Sequence, residues 1–111
     1  LAVALRRRHK VGLLSNATIS LRGLLSELGL LDLFHFVVIS AEVGLRKPDP
    51  AVFHLTALVA EVDISECLLV DDKERNTTAA IAAGMQAIRF RSAAQLQREL
   101  LARGLVDAPV F

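Results

Sequence analysis

Four short apolar runs alternate with longer stretches of helical periodicity, and this alternation restricts the fold more than any other feature of the chain. The runs are Val11-Gly-Leu-Leu-Ser15, Phe36-Val-Val-Ile-Ser40, Cys67 to Asp71 and Gln86 to Phe90. Each is too short for a helix, and the second is dense in β-branched residues, so all four read as strands. Between them, Ile19 to Leu28 carries Leu21, Leu24, Leu25 and Leu28 on one helical face, and Gly29 suits the left-handed position that ends a helix. Asp49-Pro50 supplies an N-cap and a proline at the first helical position, opening a helix that runs to about Glu61. Asn76 to Ala83 is expected to be helical and to stop at Gly84, and Ser92 to cap a last helix reaching about Arg103. Residues 1–9 read as the end of a helix and Ala41 to Pro48 as a loop. Strands that alternate with helices need right-handed crossovers, which give a parallel sheet with helices on both faces, the α/β class.

Composition narrows the function. The 111 residues suffice for one small domain, and a hydrophobic fraction of 53% excludes disorder. A net charge of +1 gives no field to draw the protein to nucleic acid or an anionic membrane, and no apolar run is long enough to span a bilayer. The basic run Arg6-Arg7-Arg8-His9-Lys10 reads as a solvated helix end. Leu1 to Leu5 is apolar but precedes those charges, the wrong order for a signal peptide. The single cysteine, Cys67, has no internal disulfide partner and reads as a small buried hydrophobe, which fits a reducing compartment; the expected location is cytoplasmic. No Gly-x-Gly-x-x-Gly follows a strand, which argues against dinucleotide binding.

In parallel sheets ligands sit beyond the carboxyl ends of the strands. Here those ends carry Ser15-Asn16, the Arg46-Lys47 loop and Asp71-Asp72. Adjacent carboxylates at a strand end repel, and a hard cation such as Mg²⁺ answers that repulsion; equally, they could cap the next helix. Lys47, stiffened by prolines in Gly44-Leu-Arg-Lys-Pro-Asp-Pro50, could neutralise a phosphate and a neighbouring aspartate together, or be a solvated loop lysine. The Ser15 hydroxyl and the backbone N–H groups around Asn16 could bind a phosphoryl oxygen, or Ser15, Asn16 or Thr18 could simply cap the next helix.

Taken together and in order, "VGLLSNAT", "SAEVGLRKPDPAVF" and "LLVDDKERNTTAAIAAGMQAI" resemble motifs two, three and four of the haloacid dehalogenase-like (HAD) superfamily, a likeness that extends from about Val11 to Phe90. The resemblance implies a Rossmann-like core. It implies that Ser15 hydrogen-bonds the transferring phosphoryl group with Asn16 beside it, and that Lys47 stabilises the nucleophile and the phosphoryl group. It further implies that Asp71 is a Mg²⁺ ligand and Asp72 the second acid of the pair, with Asn76 in a "DDxxxN" position as a cap first and a site residue second. The paired acids favour the Mg²⁺-dependent phosphatase branch, which hydrolyses small phosphorylated metabolites through an aspartyl-phosphate, over the metal-free dehalogenases.

The first motif of that family, Asp-x-Asp, does not occur. Asp32, Asp49, Asp63 and Asp107 are isolated, and no aspartate precedes Val11. Residues 1–111 are therefore expected to be the C-terminal part of a core domain, motifs two to four, without the cap and without the central nucleophile-bearing strand. That strand would separate the one ending at Ser15 from the one ending at Asp71. Such a chain should be inactive alone. The other readings are a non-catalytic HAD-like binding module and a dehalogenase-type hydrolase. A response-regulator receiver uses similar groups in the reverse order. The motifs specify a phosphoryl group and leave its carrier and the oligomeric state open.

Overall fold

The computed structural model describes residues 9–105. Most of the helix expected over residues 1–9, the arginines of the basic run and Asp107 lie outside the described residues. The elements in order are β1 (Gly12–Ser15), α1 (Ser20–Glu27), β2 (Phe36–Ile39), α2 (Ser40–Val43), α3 (Pro50–Ala60), β3 (Leu68–Asp71), α4 (Glu74–Ala83), β4 (Gln86–Arg89) and α5 (Ala93–Ala102). Single 3₁₀ turns, Leu31–Leu33 and Ile64–Glu66, lead into β2 and β3.

All four strands form where the apolar runs place them. Two helix boundaries differ from expectation. The segment read as a loop begins with the one-turn α2, closed by Gly44 at φ +73°, whose N–H reaches the Ser40 carbonyl at 2.9 Å. A single turn is too short to leave a periodic signature. Helix α4 starts at Glu74 rather than Asn76, because a carboxylate is favourable in a first turn. The predicted caps of α3 and α5 are present: Asp49 accepts from the Ala51 N–H at 2.9 Å, and Ser92 forms a reciprocal capping box with Gln95.

The strands form two parallel pairs. β1 lies against β2 in the register Gly12↔Phe36 to Ser15↔Ile39, and β3 against β4 from Leu68↔Gln86 to Asp71↔Arg89. Alternation along β3 sends Leu69 to a core of Val38, Val52, Phe53, Ala80 and Met85, and Leu68 to a second cluster of Ile88, Leu96 and Leu100. Helices α3 and α4 thus cover one face of β3–β4 and α5 the other, the two-sided burial of a parallel sheet. The pairs are not hydrogen-bonded to each other among the described residues. Between β1 and β3 lies a cleft of about 560 Å³, walled by Gly12, Leu13 and Leu14 on one side and Leu68, Leu69 and Val70 on the other.

Candidate functional site

A chain of hydrogen bonds joins the two strand pairs at their carboxyl ends. Asn16, just past β1, uses both ends of its amide on the Lys47 backbone: Oδ1 accepts the Lys47 N–H at 2.9 Å and Nδ2 donates to the Lys47 carbonyl at 3.0 Å. The Lys47–Pro48 peptide is cis. From this anchored backbone the Lys47 ammonium reaches Asp71, the last residue of β3, with Nζ 2.6 Å from Oδ2. The two side chains are 11% and 6% exposed, so Lys47 is not a solvated loop lysine.

Asp71 is held from three sides. Its Oδ2 also accepts from Asn76 Nδ2 at 3.2 Å, and its Oδ1 accepts the Lys73 N–H at 2.9 Å. Burial alone would raise its pKa; the Lys47 hydrogen bond, then the Lys73 N–H, the Lys47 charge and Asn76 outweigh burial and leave it below the ordinary carboxylate value. Asp71 is therefore an anion at neutral pH. Asn76, 2% exposed, is the α4 residue that fixes it, and the Asn76 Oδ1 is buried without a partner among the described residues.

The remaining candidates lie around this link. Ser15 ends β1 opposite Ile39 and is half-buried. Asp72 is exposed, and its carbonyl accepts from Arg89 Nε at 3.3 Å. None of Ser15, Asn16 and Thr18 caps α1, whose N-cap position is Ile19 with no side-chain hydrogen bond. Neither aspartate is the N-cap of α4, where Lys73 stands. The capping alternatives for both polar pairs are thus not what the structure shows.

Two contributors gave little signal in the sequence. Ser40 Oγ accepts the Ala17 N–H at 2.9 Å and donates to the Ala17 carbonyl at 3.1 Å, tying the loop after β1 to the start of α2. Lys73 acts through its backbone, which no residue-type pattern reveals. Cys67, expected to be buried, is half-buried on the cleft wall; burial and then Glu66 push its thiol pKa up, so it stays protonated.

The donors can be tested against Mg²⁺. Three bonds occupy three of the roughly four lone-pair sites of the Asp71 carboxylate, leaving one on Oδ1. That suits an ion which keeps most of its waters and takes one or two carboxylates. Among the described residues no three His, Cys, Asp or Glu side chains converge, so the set is compatible with Mg²⁺ but incomplete.

Comparison with known proteins agrees with this geometry. A family described as haloacid dehalogenase-like hydrolase matches residues 2–84. A phosphatase of Mycobacterium tuberculosis is 38% identical over 86 residues, 76% of this chain and 40% of its own. A phosphoserine phosphatase of Thermus thermophilus is 37% identical over 90 residues, 79% of this chain and 36% of its own. The chain thus spans about two fifths of these relatives' length or less. Among solved structures, an uncharacterized protein of Corynebacterium glutamicum superposes with a TM-score of 0.86 at 23% identity, covering 98% of this chain and 82% of that one. A HAD-family enzyme of Bacteroides thetaiotaomicron, in complex with magnesium and inorganic phosphate, superposes with a TM-score of 0.73 at 23% identity, covering 86% of this chain and 53% of that one.

Proposed function

The chain belongs to the haloacid dehalogenase-like hydrolases, and from that premise we propose that it is the phosphate-handling part of a phosphoric-ester hydrolase. In this reading the attacking aspartate would be supplied by another segment. The observation that carries this reading is the buried Lys47–Asp71 pair, clamped by Asn16 at the carboxyl ends of two parallel strands. Such a pair costs desolvation energy that apolar packing would not, and its cation at the carboxyl ends of the strands supports a phosphoryl site there.

In this reading the Lys47 ammonium holds a phosphoryl oxygen while remaining bound to Asp71, and the Ser15 hydroxyl donates to another oxygen. Asn16 acts through Lys47 as a positioning residue. Asp71, kept ionised, fixes the ammonium and offers its free lone pair to Mg²⁺, with Asp72 as the second acid nearby. When bound, Mg²⁺ would neutralise charge on the equatorial phosphoryl oxygens. An aspartate from another segment would attack phosphorus, the alcohol would leave, and water would cleave the aspartyl-phosphate. The substrate class is a small phosphorylated metabolite, as for the phosphoserine phosphatase relative.

The test is p-nitrophenyl phosphate with Mg²⁺, together with inorganic phosphate titrated into the chain and followed by ³¹P NMR. We expect phosphate binding that Lys47→Ala weakens at least about tenfold, one charge-assisted contact, and no turnover by the 111 residues alone. Turnover would refute the missing nucleophile. Absent phosphate binding would refute the site. A second reading is a HAD-like binding module without catalysis. Turnover by a longer protein containing this chain would exclude it.

A further inference from the structure

We propose that Ser40 is a positioning residue for phosphate: its hydroxyl holds the loop after β1 so that Ser15 and Lys47 address one phosphoryl group at a fixed spacing. The proposal rests on the phosphate site of the proposed function and names the side chain that keeps that site in shape.

The loop needs an anchor because two ordinary ones are missing. The His35 N–H bonds the Val11 carbonyl at 2.7 Å, so Val11, Leu13 and Ser15 turn their backbone groups toward β2, and Ala17 is next in that alternation. β2, however, ends at Ile39 and the chain turns into α2, so the strand ladder stops there. Helix α1, for its part, has no side-chain cap at its start. The half-buried Ser40 takes over. Its Oγ accepts the Ala17 N–H at 2.9 Å and donates to the Ala17 carbonyl at 3.1 Å, and the Ala41 N–H reaches the same carbonyl at 3.3 Å. A hydroxyl has one proton to give and lone pairs to receive, so a single side chain satisfies both backbone groups of Ala17.

This anchor is firm, and it is tied to the rest of the site. Ser40 follows Ile39, which is fully buried and stands opposite Ser15 in the ladder. Farther along, the segment that starts at Ser40 returns to the same loop, where the Asn16 amide grips the Lys47 backbone. Loop residues 16 and 17 are thus fastened to the two ends of segment 40–47, with Gly44 at φ +73° turning the chain between them. The closed frame links the Ser15 hydroxyl, next to Asn16, with the Lys47 ammonium. Without the Ser40 bonds the loop would have to be ordered when phosphate arrives, and that ordering would be subtracted from the affinity. Ser40 acts through Ala17 and has no contact of its own with the phosphoryl group in this arrangement.

α2 has a second tether, which supplies a control. The Glu42 carboxylate accepts from Arg22 of α1, with Nη2 2.8 Å from Oε1, a pair that involves neither Ala17 nor Asn16.

The experiment titrates inorganic phosphate into the 111-residue protein by ³¹P NMR and follows the urea midpoint and Ala17 amide exchange on the same samples. Ser40→Ala should weaken phosphate about fivefold and speed exchange at Ala17. Ser40→Thr keeps the hydroxyl and should stay within about twofold of the wild type. Ser40→Cys keeps the shape with a weaker donor, should fall between the two, and carries the test if the alanine variant does not fold. Glu42→Ala should lower the urea midpoint slightly and leave phosphate affinity unchanged. Equal weakening by Glu42→Ala and Ser40→Ala would reduce Ser40 to general support of α2 and overturn the proposal. Wild-type affinity in both Ser40→Ala and Ser40→Cys would overturn it too, while the proposed function stood. No phosphate binding by the wild type would overturn both.

Discussion

At the third position of each strand, the strands lining the cleft are less buried than the partners they pair with: Leu14 than Val38 and Val70 than Ile88. Val70 of β3 is 39% exposed, whereas Val38 of β2 and Ile88 of β4 are each 2% exposed. In an ordinary parallel sheet the inner strands are the most covered and the outer ones the least. At that position the order is reversed, and apolar Leu14 and Val70 lie on the cleft wall. Their carboxyl ends, by contrast, are finished: the link from Asn16 through Lys47 to Asp71 is hydrogen-bonded along its length. The described residues combine a hydrogen-bonded polar rim with an apolar cleft.

Substitutions can sharpen or break this contrast. The largest effect is expected at Phe53, fully buried between α3 and the strands: Phe53→Ala should cost about 3–5 kcal/mol in chemical denaturation. Val70→Ala, an equally apolar deletion on the cleft wall, should cost only about 0.5 kcal/mol. Similar losses at the two positions would mean that the cleft is closed in solution.

Next comes the rim. Lys47→Ala leaves Asp71 buried without its cation and should destabilise the chain by about 2–3 kcal/mol at pH 7, read from the urea midpoint. Asn16→Ala loosens the Lys47 backbone and should cost about 1 kcal/mol. It should weaken phosphate more than its stability cost alone explains.

The smallest effect is that of pH. Because the folded pKa of Asp71 is depressed, its contribution to stability is complete above the unfolded carboxylate value of about 3.9. It is lost as pH falls through the lower folded value. In chelator-treated protein, Asp71→Asn should flatten this acid limb between about pH 4 and its lower end. An unchanged limb would assign acid sensitivity to other carboxylates.

How far these features were legible in the sequence depends on their range. The strands, the Asp49 cap and the Ser92 cap are local events, and local patterns announce them. The burial of Lys47 is not local. A lysine between prolines carries no sign of its partner, and only the joint order of the three motifs marked it. Asn16 pointed toward phosphate by its neighbourhood, yet its side chain spends both amide groups on the Lys47 backbone, a commitment set by the loop's path. Ser15, Asn16 and Thr18 looked like caps because small polar residues precede a helix, but the chain turns into α1 with Ile19 at the N-cap position. The division into two strand pairs was expected only through the family resemblance, since strand spacing in the sequence does not encode which edges meet.

The central claim is that, among the described residues, β1 and β3 face a gap rather than each other. Native-state hydrogen exchange of the 111-residue protein tests it most directly. Alternating protection is predicted: slow exchange at Leu13, Leu69 and Asp71, whose N–H groups face their partners, and fast exchange at Gly12, Leu14, Leu68 and Val70. Uniform slow exchange along both strands in the monomer would contradict the account, because it would require β1 and β3 to be paired directly.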